Sequence, residues 1–120
     1  MIRSVYLAQD GHLRTDLKSD EFTTVLQDMD GLLWVDLMSE PVDACRPILR
    51  ETFGFHPLAV DDALEEAHIP KVDDWEQYIY LVLHAVVFDP QGDEPLNTLE
   101  LDVFWQELSG HVSGAAYCRR

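Results

Sequence analysis

Basic residues are scarce in this 120-residue sequence, with eight lysines and arginines against 23 aspartates and glutamates and a formal charge of −15. A phosphate backbone would be repelled by such a field, so nucleic acid is excluded as an expected partner. Hydrated cations are attracted instead. Cysteine is nearly absent as well. Cys45 and Cys118 offer neither a disulfide framework nor a metal-ligand spacing, and Cys45 reads as a small hydrophobe within a helix. No apolar run approaches the ~20 residues of a membrane span, and the longest, 78–88, carries His84. Met1-Ile2-Arg3-Ser4 lacks the basic-then-apolar pattern of a signal peptide, which makes a soluble, cytoplasmic chain the expectation. Enzyme templates are missing in turn: no nucleophile elbow, no H-E-x-x-H, no glycine-rich phosphate loop. Asp36, at a strand end, has no identifiable catalytic partner, and no enzyme is expected.

What is there suits one domain with one core. The apolar share is 47%, ordinary for a globular protein. Residues 2–8 alternate as a strand, and Asp10-Gly11 turns them into a hairpin with His12-Leu13-Arg14. Ser19 or Asp20 caps a helix with Phe22, Val25, Leu26 and Met29 on one stripe. Leu32-Leu33-Trp34-Val35 is near-continuously apolar, the pattern of a strand buried on both faces. A second helix carries Cys45, Ile48, Leu49, Thr52 and Phe53, with Gly54 as its left-handed end. Pro47 removes a backbone donor there, so that helix either starts near Asp43 or bends. His56-Pro57 opens a third helix, which Pro70 stops. Residues 78–88 form the longest strand, and Leu99, Leu101 and Val103 alternate with Glu100 and Asp102 in a last one. The expected class is α/β (α+β), a mixed parallel and antiparallel sheet packed between helices.

Four linked motifs carry a resemblance. Trp34-Val35-Asp36-Leu37 is followed by the run 53–64, FGFHPLAVDDAL, then by Pro70-Lys71-Val72-Asp73 and by 78–83, YIYLVL. In that order and register they resemble the N-terminal cytoplasmic domain of the CorA-like divalent-cation (magnesium) transporters. The resemblance spans residues 1–104. It implies a sheet between helical layers, a pentamer of like subunits, and a pore on C-terminal membrane helices with a Gly-Met-Asn motif. Neither those helices nor that motif occurs in these residues.

On the third helix Val60, Ala63, Leu64 and Ala67 share one face, while Asp61, Asp62, Glu65 and Glu66 point the other way. Carboxylates one turn apart repel by a few tenths of a kcal/mol, partly offset at the helix's positive start. Taken alone, a solvated acidic face is the simpler account. The resemblance adds another, because the family's acidic pair contributes to divalent-cation sensing between subunits. It implies that role for Asp61 and Asp62, with Glu65 as a further candidate ligand. Asp61 stands where the family often has glutamate. The complementary carboxylates lie on later helices, so weak, regulatory binding of Mg2+ is implied, with Co2+, Ni2+ or Zn2+ as the family's other metals. His56 and His68 flank the helix and read as helix-end residues before they read as zinc ligands. Lys71 is expected to pair with Asp73 or Asp74.

Beyond Phe104 the resemblance stops. The family continues with another strand of the pattern F-[LI]-G-x-N-[YF]-[LV]-V-T, whereas 105–120, WQELSGHVSGAAYCRR, shows no strand alternation and a basic end. A shifted reading frame accounts for the change. One choice of codons for 105–119, read one base later, encodes GKNYLVTYQEPHIA. The expected organisation is therefore a CorA-like N-terminal domain over 1–104, incomplete, and a divergent, frameshifted tail over 105–120. An exposed sheet edge able to pair between copies is expected to follow. The expected function is the cytoplasmic metal-sensing part of a CorA-like transporter whose partners are other copies of the subunit. The alternative is a free-standing soluble interaction module that has kept the fold and lost transport.

Overall fold

Seven strands in one mixed sheet, ordered β2-β1-β3-β7-β6-β5-β4, organise the computed structural model of this chain. The structure describes every residue except Met29 and residues 66–68, 109–110 and 120, with side chains as far as Glu107. Strands β1 (Ile2–Leu7) and β2 (Leu13–Thr15) form the antiparallel hairpin foreseen around Asp10-Gly11. Gly11 sits at φ +88°, a conformation a Cβ would oppose. A 3-10 turn, Ser19–Glu21, leads into α1 (Phe22–Val25), and the Lys18 N–H donates to Glu21 Oε2 at 2.8 Å to fix its start. Strand β3 (Leu32–Met38) returns antiparallel to β1.

Helix α2 (Val42–Pro47) shows what Pro47 does. Beyond it the chain widens into a π turn, Ile48–Thr52, in which the Phe53 N–H reaches the Ile48 carbonyl at 3.0 Å. Gly54, at φ +75°, ends it in the left-handed conformation expected. Helix α3 (Pro57–Leu64) follows, then the meander β4 (Lys71–Asp74), β5 (Tyr78–Phe88) and β6 (Leu96–Leu108). Strand β7 (His111–Arg119) inserts between β6, antiparallel, and β3, parallel. The core lies on one face of this sheet. Phe22, Leu49, Val60 and Ala63 from the helical side meet Tyr6, Leu33, Val35, Tyr80 and Phe104 from the strands. Phe104 stacks on Phe55 and Tyr80, with ring centroids 4.4 and 4.8 Å apart.

The mixed α/β class expected from the sequence is adopted, with several corrections of detail. Strand β3 is not buried on both faces: Leu33, Val35 and Leu37 are fully buried, while Leu32, Trp34, Asp36 and Met38 are only half covered. Among the described residues the buried helical side chains and the buried strand side chains form one core cluster. Helix α3 ends at Leu64 rather than running to Pro70. Glu65 is its C-cap at ψ 168°, and a helix continued through it would stack its carboxylate one turn beyond Asp61.

Strand β6 is the largest correction. It continues past Phe104 to Leu108, and its phase is opposite to the one its polar alternation suggested. Asp102 is fully buried, whereas Leu99, Leu101 and Val103 are half covered. Phe104 lies in phase with Asp102, and burying a large aromatic ring decides which face turns inward. The segment 105–120, expected to lack strand character, supplies the end of β6 and all of β7. The sheet edges are therefore β2 and β4, three and four residues long. A shifted reading frame as the origin of this segment stands as a proposal about the DNA, and sequencing across the codons of 105–120 tests it.

Candidate cation site on the acidic helix

The N-terminus of α3 is built locally. The His56 Nδ1 accepts from the Leu58 N–H at 3.1 Å, the Tyr78 hydroxyl accepts from the His56 N–H at 2.9 Å, and Pro57 occupies the first turn where no donor is needed. The His56 ring stacks on Trp75 at 4.9 Å. These contacts make His56 the capping residue its position suggested and leave its Nδ1 engaged. Ala59, Val60, Ala63 and Leu64 are buried beneath, which turns Asp61 and Asp62 toward the surface.

Neither aspartate stands unopposed. Arg46, from α2, pairs through Nη1 with Asp61 Oδ1. Lys71, from the start of β4, donates to Asp62 Oδ2 and also reaches Asp73 Oδ2 at 2.9 Å. Hydrogen bonding to Asp62 first, and then to Asp73, raises the Lys71 pKa. The ammonium also lies 5.4 Å from the centroid of the Tyr80 ring. Behind that ring the Tyr80 hydroxyl donates to the buried Asp102 at 2.5 Å, and burial followed by this hydrogen bond holds the Tyr80 phenol far above its ordinary range.

Asp61 and Asp62 lie half-exposed on the outer side of α3, where the helical spacing placed them, and the Lys71–Asp73 pair is present. Glu65 is brought to the helix end rather than into an acidic ladder, and His68 and Glu66 lie outside the described residues. His84 sits across from Glu100, its Nε2 3.9 Å from Glu100 Oε2. Arg46 and the Lys71–Asp62 link were missed. Arg46 lies 15 residues before Asp61, and no local spacing rule reaches that far. Among the described residues no group of three or more His, Cys, Asp or Glu side chains is placed to hold a metal ion. A hard dication takes six or more oxygens, several of them water, so two paired carboxylates do not amount to a site within one chain.

The fold is that of a mixed α/β sheet domain shared with two solved structures. The structure of the full-length CmaX protein superposes on 97% of this chain and 33% of its own length, with a TM-score of 0.71 and 23% identity. The soluble domain of CorA from Methanocaldococcus jannaschii matches 98% of the chain and 40% of its own, with a TM-score of 0.61 and 14% identity. Residues 29–107 match the family described as CorA-like Mg2+ transporter protein, and this chain belongs to that family. A curated relative, "Putative metal ion transporter YfjQ" of Bacillus subtilis (strain 168), is 38% identical over 74 residues, 62% of this chain. The chain spans only 21% of that relative's length. No helix among the described residues is long and apolar enough to cross a membrane.

Proposed function

We propose that these residues act as the soluble, cytoplasmic regulatory part of a divalent-metal transporter, with α3 as a cation-responsive contact between copies of the subunit. Family membership over 29–107 is the observation that carries this reading. The half-exposed side chain of Asp61 supports it, because that carboxylate remains open to donors from a second copy. Arg46 and Lys71 do in the single chain what a dication would do between chains, which makes them competitors for it. Binding is accordingly weak in isolation. Conduction would belong to membrane helices outside these residues, and the family is one of transporters rather than enzymes.

Thermal melting in increasing magnesium, matched in ionic strength with sodium, tests the proposal. The matching matters because added ions screen a chain of charge −15 and stabilise it without any site. Magnesium is expected to raise the melting temperature of the wild type beyond the sodium control. Arg46→Ala should enlarge that response, and Asp61→Asn/Asp62→Asn should abolish it. Identical magnesium responses in the wild type and the double variant would remove the sensing role and favour a soluble module that has kept only the fold.

A further inference from the structure

In a chain with 23 aspartates and glutamates, one hollow gathers hydrogen-bond donors and has no carboxylate in its lining. It measures about 430 Å³ and opens between the π turn, the start of α3 and the β4–β5 turn. Arg50, Phe55, His56, Trp75, Gln77 and Tyr78 line it. Asp74 and Glu76, the chain neighbours of Trp75, line a different hollow together with Glu107. Arg3, Arg14, Arg46 and Lys71 each reach a carboxylate, whereas Arg50 reaches none among the described residues. Trp75 adds a second donor in want of an acceptor. Its Nε1 is buried and makes no hydrogen bond among the described residues. The ring itself is held in place, stacked on His56 and, at 6.1 Å, on Tyr78. With Nδ1 engaged as an acceptor, the neutral His56 imidazole carries its proton on Nε2 and is a donor as well.

We propose that this hollow binds a small organic carboxylate with an apolar body, at a site separate from the cation contact. The planar guanidinium fork matches a carboxylate, and at Arg50 no described side chain already fills it. Aromatic walls suit the rest of such a molecule. Phe55, Trp75 and Tyr78 supply ring carbon, and the volume falls within the roughly 300–1,000 Å³ of small-ligand pockets. Charge selects in the same direction. A net −15 repels anions from most of this surface, so an anion settles only where local donors outweigh that field. An uncharged ligand gains nothing comparable from Arg50. An acidic side chain in the lining would occupy the fork from within, and none is there. Asp61 and Asp62 do not line the hollow, so carboxylate binding here and magnesium binding on α3 can fail independently.

Sodium benzoate is the probe, titrated into the isotope-labelled chain at constant ionic strength and followed by the indole N–H signals. The Trp75 signal is assigned by its loss in Trp75→Phe, and circular dichroism establishes that each variant folds. The wild type is expected to saturate with a Kd of about 1 mM or lower, the Trp75 signal moving as an acceptor arrives. Inorganic phosphate and benzyl alcohol each offer half of the chemistry and should bind at least about tenfold more weakly. Arg50→Gln should raise the benzoate Kd by at least about tenfold. Lys18→Gln, which removes an exposed cation outside the lining, should leave it unchanged. Benzoate that fails to saturate, leaves the Trp75 signal in place, or binds Arg50→Gln as tightly would overturn the inference. So would equal affinity for phosphate or benzyl alcohol, or an equal loss in Lys18→Gln.

Discussion

The two faces of this sheet carry similar amounts of apolar side chain and reach opposite ends. On the helical side Leu33, Val35, Tyr80, Val82 and Phe104 are fully buried, and hydrogen bonds reach the two buried polar residues, Ser4 and Asp102. The Ser4 hydroxyl accepts from the Leu17 N–H at 2.8 Å, and Asp102 accepts from Tyr80. On the other side Trp105 and Leu83 remain about two-fifths exposed. Apolar composition alone therefore does not decide burial. What decides it is whether another element is available to cover the face, and on the helical side even a carboxylate is accommodated.

Adjacent residues of one strand give the sharpest way to break this comparison. Phe104 is fully buried between Phe55 and Tyr80, so Phe104→Ala should cost about 3–5 kcal/mol, much of the stability of a domain this size. Trp105→Ala, one residue on, should cost about 1 kcal/mol or less at concentrations where the chain is monomeric. Urea unfolding of both variants measures the contrast. Equal losses would mean that the outer face is already covered within one chain.

Tyr80→Phe comes next. It removes the donor to a fully buried carboxylate, and bonds to charged groups are worth about 1.5–3 kcal/mol, so a loss in that range is expected in the same assay. The pH dependence has a definite sign. Tyr6 has its phenol pushed up to about 12, chiefly by burial and then by its hydrogen bond to Asp28. Tyr80 is raised as well. A raised folded pKa stabilises below the unfolded value of about 10 and is lost as pH climbs through the folded one. Stability should therefore fall on the alkaline side from about pH 10 upward, and Tyr6→Phe should flatten that fall.

The sequence disclosed most of the connectivity and little of the phase. Turn chemistry at Asp10-Gly11, Gly54 and His56-Pro57 is local, so the hairpin and the helix boundaries it controls were readable. The inward face of β6 was not, because Glu100 and Asp102 mimic a solvent-facing pair. Asp102 turns inward because Phe104 shares its phase and Tyr80, 22 residues away, supplies a donor. Phe104 was the available signal. Arg46 and Lys71 show the same limit at the candidate site: the acidic helix was evident from spacing, but its counter-ions arrive from α2 and β4 through the fold. The strand at 111–119 was the least legible, with few β-branched residues, and it is held by ladders to neighbours on both sides.

The smallest expected effect lies on the covered face's rim, at Lys71. Its ammonium is about one-third exposed and serves two carboxylates, so solvent screening reduces the value of the cluster, and Lys71→Met should cost only about 0.5–1 kcal/mol at neutral pH. The folded pKa of Lys71 is raised, chiefly by Asp62 and then by Asp73. Its contribution is therefore complete below the unfolded value of about 10.5 and disappears as pH rises through the folded value. The gap between wild type and Lys71→Met in urea midpoint should be constant through neutral pH and close only in strong alkali. Magnesium discriminates further. If Lys71 competes with a dication for Asp62, the methionine variant should lose stability in sodium and recover it in magnesium at equal ionic strength. Recovery confined to magnesium would show that the carboxylates on this rim respond to a doubly charged ion itself. Equal behaviour in the two salts would reduce the rim to a local ion pair.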